Sequence, residues 1–208
     1  MTFTGGIGKV CGAIIDRIVR WLALSRIHPN VLTFLGLVIN TWAAFLFAQG
    51  SFRWAAVVVI GAGLFDMVDG RVARETNRVT RFGGFFDSVV DRYSDLSLLM
   101  GLLVYYGSIG RPGYVILTGV VMTGSVMISY TRARAENVIP KCKVGFLERP
   151  ERVVLIIIGG LFDRMAQVLW VLAVLSNLTV IHRMIYTWKE TNLLEEAQLR
   201  AVPEEKRR

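Results

Sequence analysis

Apolar segments of roughly membrane-spanning length alternate with short polar or glycine-containing segments along most of this chain. A helix needs roughly 20 apolar residues to cross a bilayer, and the second and fifth segments are marginal by that measure. The pattern predicts an all-α, polytopic membrane protein with six transmembrane helices. We expect these helices at about residues 31–49, 54–66, 82–106, 114–130, 152–162 and 165–188.

The two ends of the chain follow different patterns. Between residues 7 and 24, apolar positions recur at helical spacing, which is typical of an amphipathic helix lying in the membrane interface. A helix packed on a partner protein is the alternative. From about Glu190 onward, polar residues predict a disordered or loosely helical tail. We therefore expect an N-terminal juxtamembrane amphipathic helix (1–28), a membrane domain (29–188) and a polar cytoplasmic tail (189–208).

Composition supports a membrane location, and charge predicts the orientation. Of the 208 residues 53% are hydrophobic, and the mean hydropathy of +0.49 is too high for an ordinary soluble domain. Of the 24 Lys and Arg residues, only Arg53, Arg111 and Arg164 fall on the side of the membrane opposite the termini. Because positive charge concentrates in cytoplasmic segments, we expect both termini, the segment between residues 66 and 91 and the segment between residues 131 and 151 to face the cytoplasm from the cell membrane.

Four aspartates flank the polar segment between the second and third predicted helices. On helices, Asp66 and Asp69 share one face, and so do Asp87 and Asp91. An aspartate at the centre of a membrane helix costs roughly 2.5–3.5 kcal/mol, and neighbouring carboxylates also repel one another. Divalent cations offset both effects, and carboxylate oxygens suit Mg²⁺ or Mn²⁺. The alternative is four exposed acids, each paired with a nearby arginine.

The acidic segment resembles the signature of the CDP-alcohol phosphatidyltransferases at every fixed position, reading Asp66-x-x-Asp69-Gly70-x-x-Ala73-Arg74 and then Gly83-x-x-x-Asp87-x-x-x-Asp91. The resemblance implies a CDP-linked lipid donor, usually CDP-diacylglycerol. It implies two divalent ions, Mg²⁺ or Mn²⁺, held by Asp66, Asp69, Asp87 and Asp91. Asp91 would also be the general base that activates the attacking hydroxyl as CMP leaves. The expected contacts to the CDP-lipid come from Asn30, Thr33, Asp69, Gly70, Ala73, Arg74 and Gly83.

Two further positions belong to this prediction. Pro29-Asn30-x-x-Thr33 resembles the entry to the first span in the same family, where it lies beside the nucleotide phosphates. Asn30 can also cap the first helix, and the two roles are compatible. Asp95 continues the face of Asp91, and we expect it to be a structural partner of an arginine rather than a metal ligand.

A basic segment near the predicted cytoplasmic mouth bears on the second substrate. Residues 129–152 contain four arginines and two lysines, and Arg183 returns to the same end from the last span. Arginine forks match phosphate oxygens, so the cluster favours an acceptor alcohol that carries its own phosphate. The alternative is ordinary positive charge that touches lipid headgroups.

The same segment resembles one branch of the family, the phosphatidylinositol-phosphate synthases of bacteria and archaea. The resemblance rests on S-Y-x-R-A-R-A-E, V-G-F-L-E-R-P-E-R and N-L-T-V-I-H-R, which occupy residues 129–136, 144–152 and 177–183. It implies inositol 1-phosphate as the acceptor. The residues that would bind the acceptor phosphate are Arg134, Lys141, Arg149, Arg152 and Arg183.

Two other functions stay open at this point. Glycerol 3-phosphate would also need a basic pocket, so a phosphatidylglycerophosphate synthase is the alternative within the family. An ion transporter is a remote alternative, because its polar residues would lie at mid-depth along several spans, whereas these acids lie at one face. We expect membrane lipids and a second copy of the chain as partners, since the family commonly forms homodimers, and no nucleic acid.

Overall fold

The computed structural model describes residues 29–75 and 80–201, and within them the side chains of residues 29–66 and 80–197. The described residues form helices and no strand, which confirms the all-α prediction. The helices are α1 (Pro29–Ala48), α2 (Phe52–Glu75), α3 (Arg81–Ser108), α4 (Pro112–Ala135), α5 (Arg149–Leu161) and α6 (Met165–Ala201). The amphipathic helix predicted within residues 1–28 lies outside the described residues.

Three of the helices, α1, α4 and α6, are long and apolar enough to cross a membrane. The outward face of α1 carries large exposed apolar side chains, among them Phe34, Trp42 and Phe45. Such a face is typical of contact with lipid rather than water. The chain is therefore a membrane protein, and spans at α2, α3 and α5 stay predictions. With 13 residues, α5 extends only about 20 Å.

The described residues form two compact units, and the first comprises those between Pro29 and Tyr105 together with residues 160–163. In it α1 packs on α2 through buried side chains such as Leu32, Phe47 and Val59. The turn between these helices contains Gly50, whose φ of +78° is a left-handed conformation that favours glycine. Arg53 forms an exposed ion pair with Asp163, with 2.7 Å between Nη2 and Oδ2.

The second unit comprises the described residues 106–159 and 164–201. Its centre is the contact between α4 and α6, where a Cβ added at Gly124 would overlap the Ser176 hydroxyl. Small residues of this kind let two membrane helices approach closely. The connection at residues 136–148 is irregular, and Ile139 and Cys142 within it are buried against Ala135.

Several helix ends differ from the predicted ones for local reasons. Helix α4 begins at Pro112, two residues before the predicted start, because a helix start does not need the proline N–H. At the other end α4 continues past Tyr130 to Ala135. The last helix continues past Trp188 to Ala201, since Glu, Leu, Ala and Gln are strong helix formers. Helix α5 begins at Arg149, three residues before the predicted start, and Pro150 lies in its first turn.

Candidate functional site

The acidic residues lie on two helices at the predicted spacing. Asp66 and Asp69 are three residues apart within α2, and Asp87 and Asp91 are four residues apart within α3. Each pair therefore shares one helix face. Asp66 and Asp91 are half-buried, and Asp87 is exposed. Asp95, one turn further along α3, is only 6% exposed.

Helix α1 contacts both acid-bearing helices. A Cβ added at Gly36 would lie 3.0 Å from Oδ1 of Asp66, so α1 passes directly beside this carboxylate. A Cβ added at Gly83 would lie 3.5 Å from Oδ1 of Asn30, so the start of α1 lies beside the start of α3. Asn30 of the Pro29-Asn30 motif is thus a neighbour of Gly83, the glycine that opens the second half of the acidic motif.

Thr80 holds the start of α3 in place. Its Oγ1 accepts a hydrogen bond of 2.9 Å from the N–H of Gly83, which satisfies one of the backbone donors left unpaired at a helix start. The sequence contained this signal, a threonine directly before the helix, but the prediction did not use it. By contrast, Asn30 lies inside the first turn of α1, which begins at Pro29, so the cap predicted at Asn30 is wrong.

The chemistry of the aspartates fits a hard divalent cation. Carboxylate oxygens are the donors that Mg²⁺ and Mn²⁺ prefer, and each helix supplies two of them on one face. Within the described side chains, no three His, Cys, Asp or Glu residues are close enough to hold a metal ion. The side chain of Asp69 lies outside that set. The four-aspartate metal site stays a prediction, as do the roles of Gly70, Ala73 and Arg74.

In the second unit, Arg183 of α6 is an anchored cation that is only 1% exposed. Its Nε donates a hydrogen bond of 2.8 Å to the carbonyl oxygen of Val144. Its Nη1 donates to the carbonyl oxygen of Ile128 in α4, and its Nη2 lies 3.4 Å from Oε1 of Glu148. The guanidinium group therefore connects α4, α6 and the irregular connection between residues 136 and 148.

The irregular connection folds directly onto α6. Gly145 has a φ of +134°, and a Cβ there would lie 2.7 Å from Cγ2 of Thr179 and 3.4 Å from Nε of Arg183. The next residue, Phe146, donates its N–H to Oγ1 of Thr179 at 3.3 Å. The Phe146 ring also stacks on His182, with 5.3 Å between ring centroids. Only glycine fits at position 145, for both conformational and steric reasons.

The predicted acceptor residues take different positions in this unit. Arg134 and Arg183 line one cavity of about 640 Å³, which also has apolar walls from Tyr130, Met184 and Trp188. Lys141 is exposed in the irregular connection. Arg149 begins α5, and Arg152 is buried within it. The structure therefore brings two of the five predicted residues together at one cavity.

Arg132 and Glu148 also lie at this site, but neither was in the predicted acceptor set. Arg132 pairs with Glu136 at 3.1 Å and with Glu148 at 3.4 Å. Glu148 directly precedes α5, and its N–H donates a 2.9 Å hydrogen bond to Oε2 of Glu151. This is half of a capping box, and the sequence signalled it through a glutamate three residues after the cap position.

Known proteins resemble this chain along most of its length. A sequence model of the CDP-alcohol phosphatidyltransferase family matches residues 26–190. The archaetidylinositol phosphate synthase of Pyrococcus horikoshii is 36% identical over 171 residues, which cover 82% of this chain and 88% of that protein. The phosphatidylinositol phosphate synthase of Mycobacterium tuberculosis is 35% identical over 190 residues, covering 86% of this chain and 87% of that protein.

Solved structures agree with these sequence matches. The crystal structure of the Mycobacterium tuberculosis phosphatidylinositol phosphate synthase with CDP-DAG bound matches with a TM-score of 0.79 at 34% identity, over 85% of this chain and 94% of that one. The structure of the same enzyme with manganese and citrate gives a TM-score of 0.78 at 35% identity, over 84% and 88%. This chain therefore belongs to the CDP-alcohol phosphatidyltransferase family.

Proposed function

We propose that this membrane transferase moves a phosphatidyl group from CDP-diacylglycerol to inositol 1-phosphate and releases CMP. The two named relatives agree on inositol phosphate and differ in the lipid, which is archaetidyl in one and phosphatidyl in the other. A solved relative holds CDP-DAG. Glycerol 3-phosphate, the alternative acceptor, is not favoured by these relatives.

We assign binding of the CDP-lipid donor to the first unit. We assign the CDP-lipid contacts to Asn30, Thr33, Asp69, Gly70, Ala73, Arg74 and Gly83. The observation that supports this set is the proximity of Asn30 Oδ1 to Gly83, which brings two separate motifs together at the start of α3. A glycine at this point leaves room for a diphosphate to approach the backbone, because it has no Cβ.

The metal ligands we propose are the aspartates at positions 66, 69, 87 and 91. When bound there, two divalent cations, Mg²⁺ or Mn²⁺, would neutralise charge on the diphosphate and on the departing CMP. A related enzyme has been solved with manganese. Gly36 contributes by leaving space for the carboxylate of Asp66, whose Oδ1 would lie 3.0 Å from any Cβ at that position.

Asp91 is the general base in this proposal. It lies one turn beyond Asp87 on α3 and is half-buried, so it is part of the acidic face while partly shielded from water. Its carboxylate takes the proton of the acceptor hydroxyl, and the hydroxyl oxygen bonds to the phosphorus that carries the lipid. The bond between that phosphorus and CMP then breaks, so that one P–O bond replaces another.

The acceptor half falls to the basic residues of the second unit. The observation that carries this assignment is the convergence of Arg134 and Arg183 on one cavity. Lys141, Arg149 and Arg152 complete the proposed set. Arginine forks near a low-dielectric region favour a phosphate over a neutral polyol. We further propose that both termini and the active site face the cytoplasm, as the charge distribution predicts, and that the protein is a homodimer.

The test is CMP release by the purified protein with CDP-diacylglycerol, Mn²⁺ or Mg²⁺, and one acceptor at a time. We expect turnover with inositol 1-phosphate and none with free inositol. Asp91→Asn should abolish CMP release, whereas the matched variant Asp163→Asn should retain it, because Asp163 lies in the exposed turn paired with Arg53. Turnover by Asp91→Asn would remove that residue as the base, and turnover with glycerol 3-phosphate alone would overturn the acceptor.

A further inference from the structure

Glu148 lies where two arginines from different helices converge. Its Oε1 is 3.4 Å from Nη1 of Arg132 on α4 and 3.4 Å from Nη2 of Arg183 on α6. A single carboxylate oxygen thus occupies the point that both guanidinium groups face. These residues all belong to the second unit.

Both arginines have other contacts that set their orientation. Arg183 donates to two backbone carbonyl oxygens, those of Val144 and Ile128. Arg132 has a shorter contact to Glu136, at 3.1 Å between Nε and Oε1. Glu148 is therefore not needed to aim either guanidinium group. It supplies negative charge at the point where the remaining donors meet.

Glu148 can leave that point without disturbing the local backbone. Its N–H is held by Glu151, and its carbonyl oxygen accepts from the N–H of Arg152, so the main chain is anchored at the start of α5. The side chain itself is 48% exposed, and both ion pairs are at the long end of the range. The carboxylate is consequently a weakly held anion on a firmly held backbone.

We propose that Glu148 sets the affinity and charge selectivity of the acceptor site, because its carboxylate competes with the acceptor phosphate for Arg183, which lines the acceptor cavity with Arg134, and for the neighbouring Arg132. This rests on the proposed function. A phosphate group carries about −1.5 to −2 charge and three acceptor oxygens, so it displaces a single carboxylate from two arginines. A neutral polyol offers no charge and leaves the carboxylate in position. Glu148 thereby keeps the arginines paired between turnovers.

The first experiment compares Glu148→Gln with the wild type in steady-state CMP release. We expect the KM for inositol 1-phosphate to fall about three- to tenfold, the effect of removing one competing, half-exposed charge. The KM for CDP-diacylglycerol should not change. The matched control is Glu136→Gln, which removes a carboxylate that contacts Arg132 but not Arg183, and its acceptor KM should stay within about twofold of the wild type. A raised or unchanged acceptor KM in Glu148→Gln would overturn the proposal, because a purely structural glutamate would produce that result.

The second experiment separates this inference from the proposed function. Thermal stability of each protein is followed while inorganic phosphate alone is titrated, with no donor lipid and no inositol phosphate. Glu148→Gln should bind phosphate about three- to tenfold more tightly than the wild type. That result would support the competing role of Glu148 even if no turnover with inositol 1-phosphate were found, because the missing turnover would contradict only the proposed function. Normal turnover together with equal phosphate affinities of the variant and the wild type would contradict only the proposed role of Glu148.

A third variant covers the case in which Glu148→Gln does not fold. Glu148→Asp retains the charge and is a good helix cap, but it withdraws the carboxylate from the two arginines by one methylene. We expect a smaller fall in the acceptor KM in the same direction. An increase would overturn the proposal, since it would mean that the carboxylate assists acceptor binding.

Discussion

Gly101 of α3 provides a direct test of how closely α1 and α3 pack. A Cβ at this position would overlap the carbonyl oxygen of Ala44 and lie 2.8 and 2.9 Å from its carbonyl carbon and Cα. These are backbone atoms, which cannot rotate aside as a flexible side chain could. In Gly101→Ala the two helices must therefore move apart by roughly 1 Å, since the packed interior has no spare volume.

The expected effect on stability is modest, and the effect on activity is large. Overpacking costs about 1–3 kcal/mol, and the higher helix propensity of alanine offsets about 1 kcal/mol of that, leaving a loss of roughly 0–2 kcal/mol. The same helices carry Asn30 and the Asp87–Asp91 pair. Because a misplacement of about 1 Å in a catalytic site can lower the rate by on the order of 100-fold, we expect CMP release to fall much further than stability.

The assay measures CMP release and thermal unfolding of the same detergent-solubilised preparations. The matched control is Gly61→Ala in α2, where no atom of the described residues lies within 4 Å of the added Cβ. We expect this variant to keep its activity and to gain up to about 1 kcal/mol in stability from helix propensity. If Gly101→Ala retained both full activity and an unchanged unfolding temperature, the close contact between α1 and α3 would be refuted.

Two other predictions concern the acceptor site and the metal site. Arg183→Lys keeps the charge but removes the guanidinium fork. A lysine cannot donate hydrogen bonds to the carbonyl oxygens of Val144 and Ile128 and also bind an anion. The acceptor KM should rise at least about tenfold while that for CDP-diacylglycerol stays unchanged, and equal effects on both would contradict an acceptor role. Removal of divalent ions by a chelator should abolish CMP release, and added Mn²⁺ or Mg²⁺ should restore it. Activity that persists in the chelator would contradict the metal proposal.

The helices and the spacing of the acids could be predicted because both are local properties of the sequence. Apolar segment length and the 3.6-residue period determine that Asp87 and Asp91 share a face of α3, whatever the rest of the fold does. The family signature added the expected chemistry, since it lies within one continuous segment.

The contacts of Arg183 could not be predicted, because they depend on residues far away in sequence. A basic residue in an apolar helix indicates function, but how many of its donors remain for a ligand depends on the tertiary fold. Here Ile128 and Val144, which precede it by 55 and 39 residues, accept two of its hydrogen bonds. The resemblance implied only an acceptor role for Arg183, which stays a prediction, whereas the structure makes it the residue that holds the irregular connection onto α6.

Glycines in both units adjoin a charged side chain, and this has a physical basis. Gly36 lies beside Oδ1 of Asp66, and Gly145 lies beside the guanidinium group of Arg183. In a bilayer no hydrophobic force draws helices together, so close packing depends on small residues and polar contacts. A charged group there is also costly unless the surrounding backbone approaches closely enough to stabilise or orient it. Glycine meets both needs at one position, because the missing Cβ lets a neighbouring segment approach while leaving room for the charge. The glycines at these two positions are therefore part of the charged sites themselves, and an alanine at either would act first on the adjacent Asp66 or Arg183.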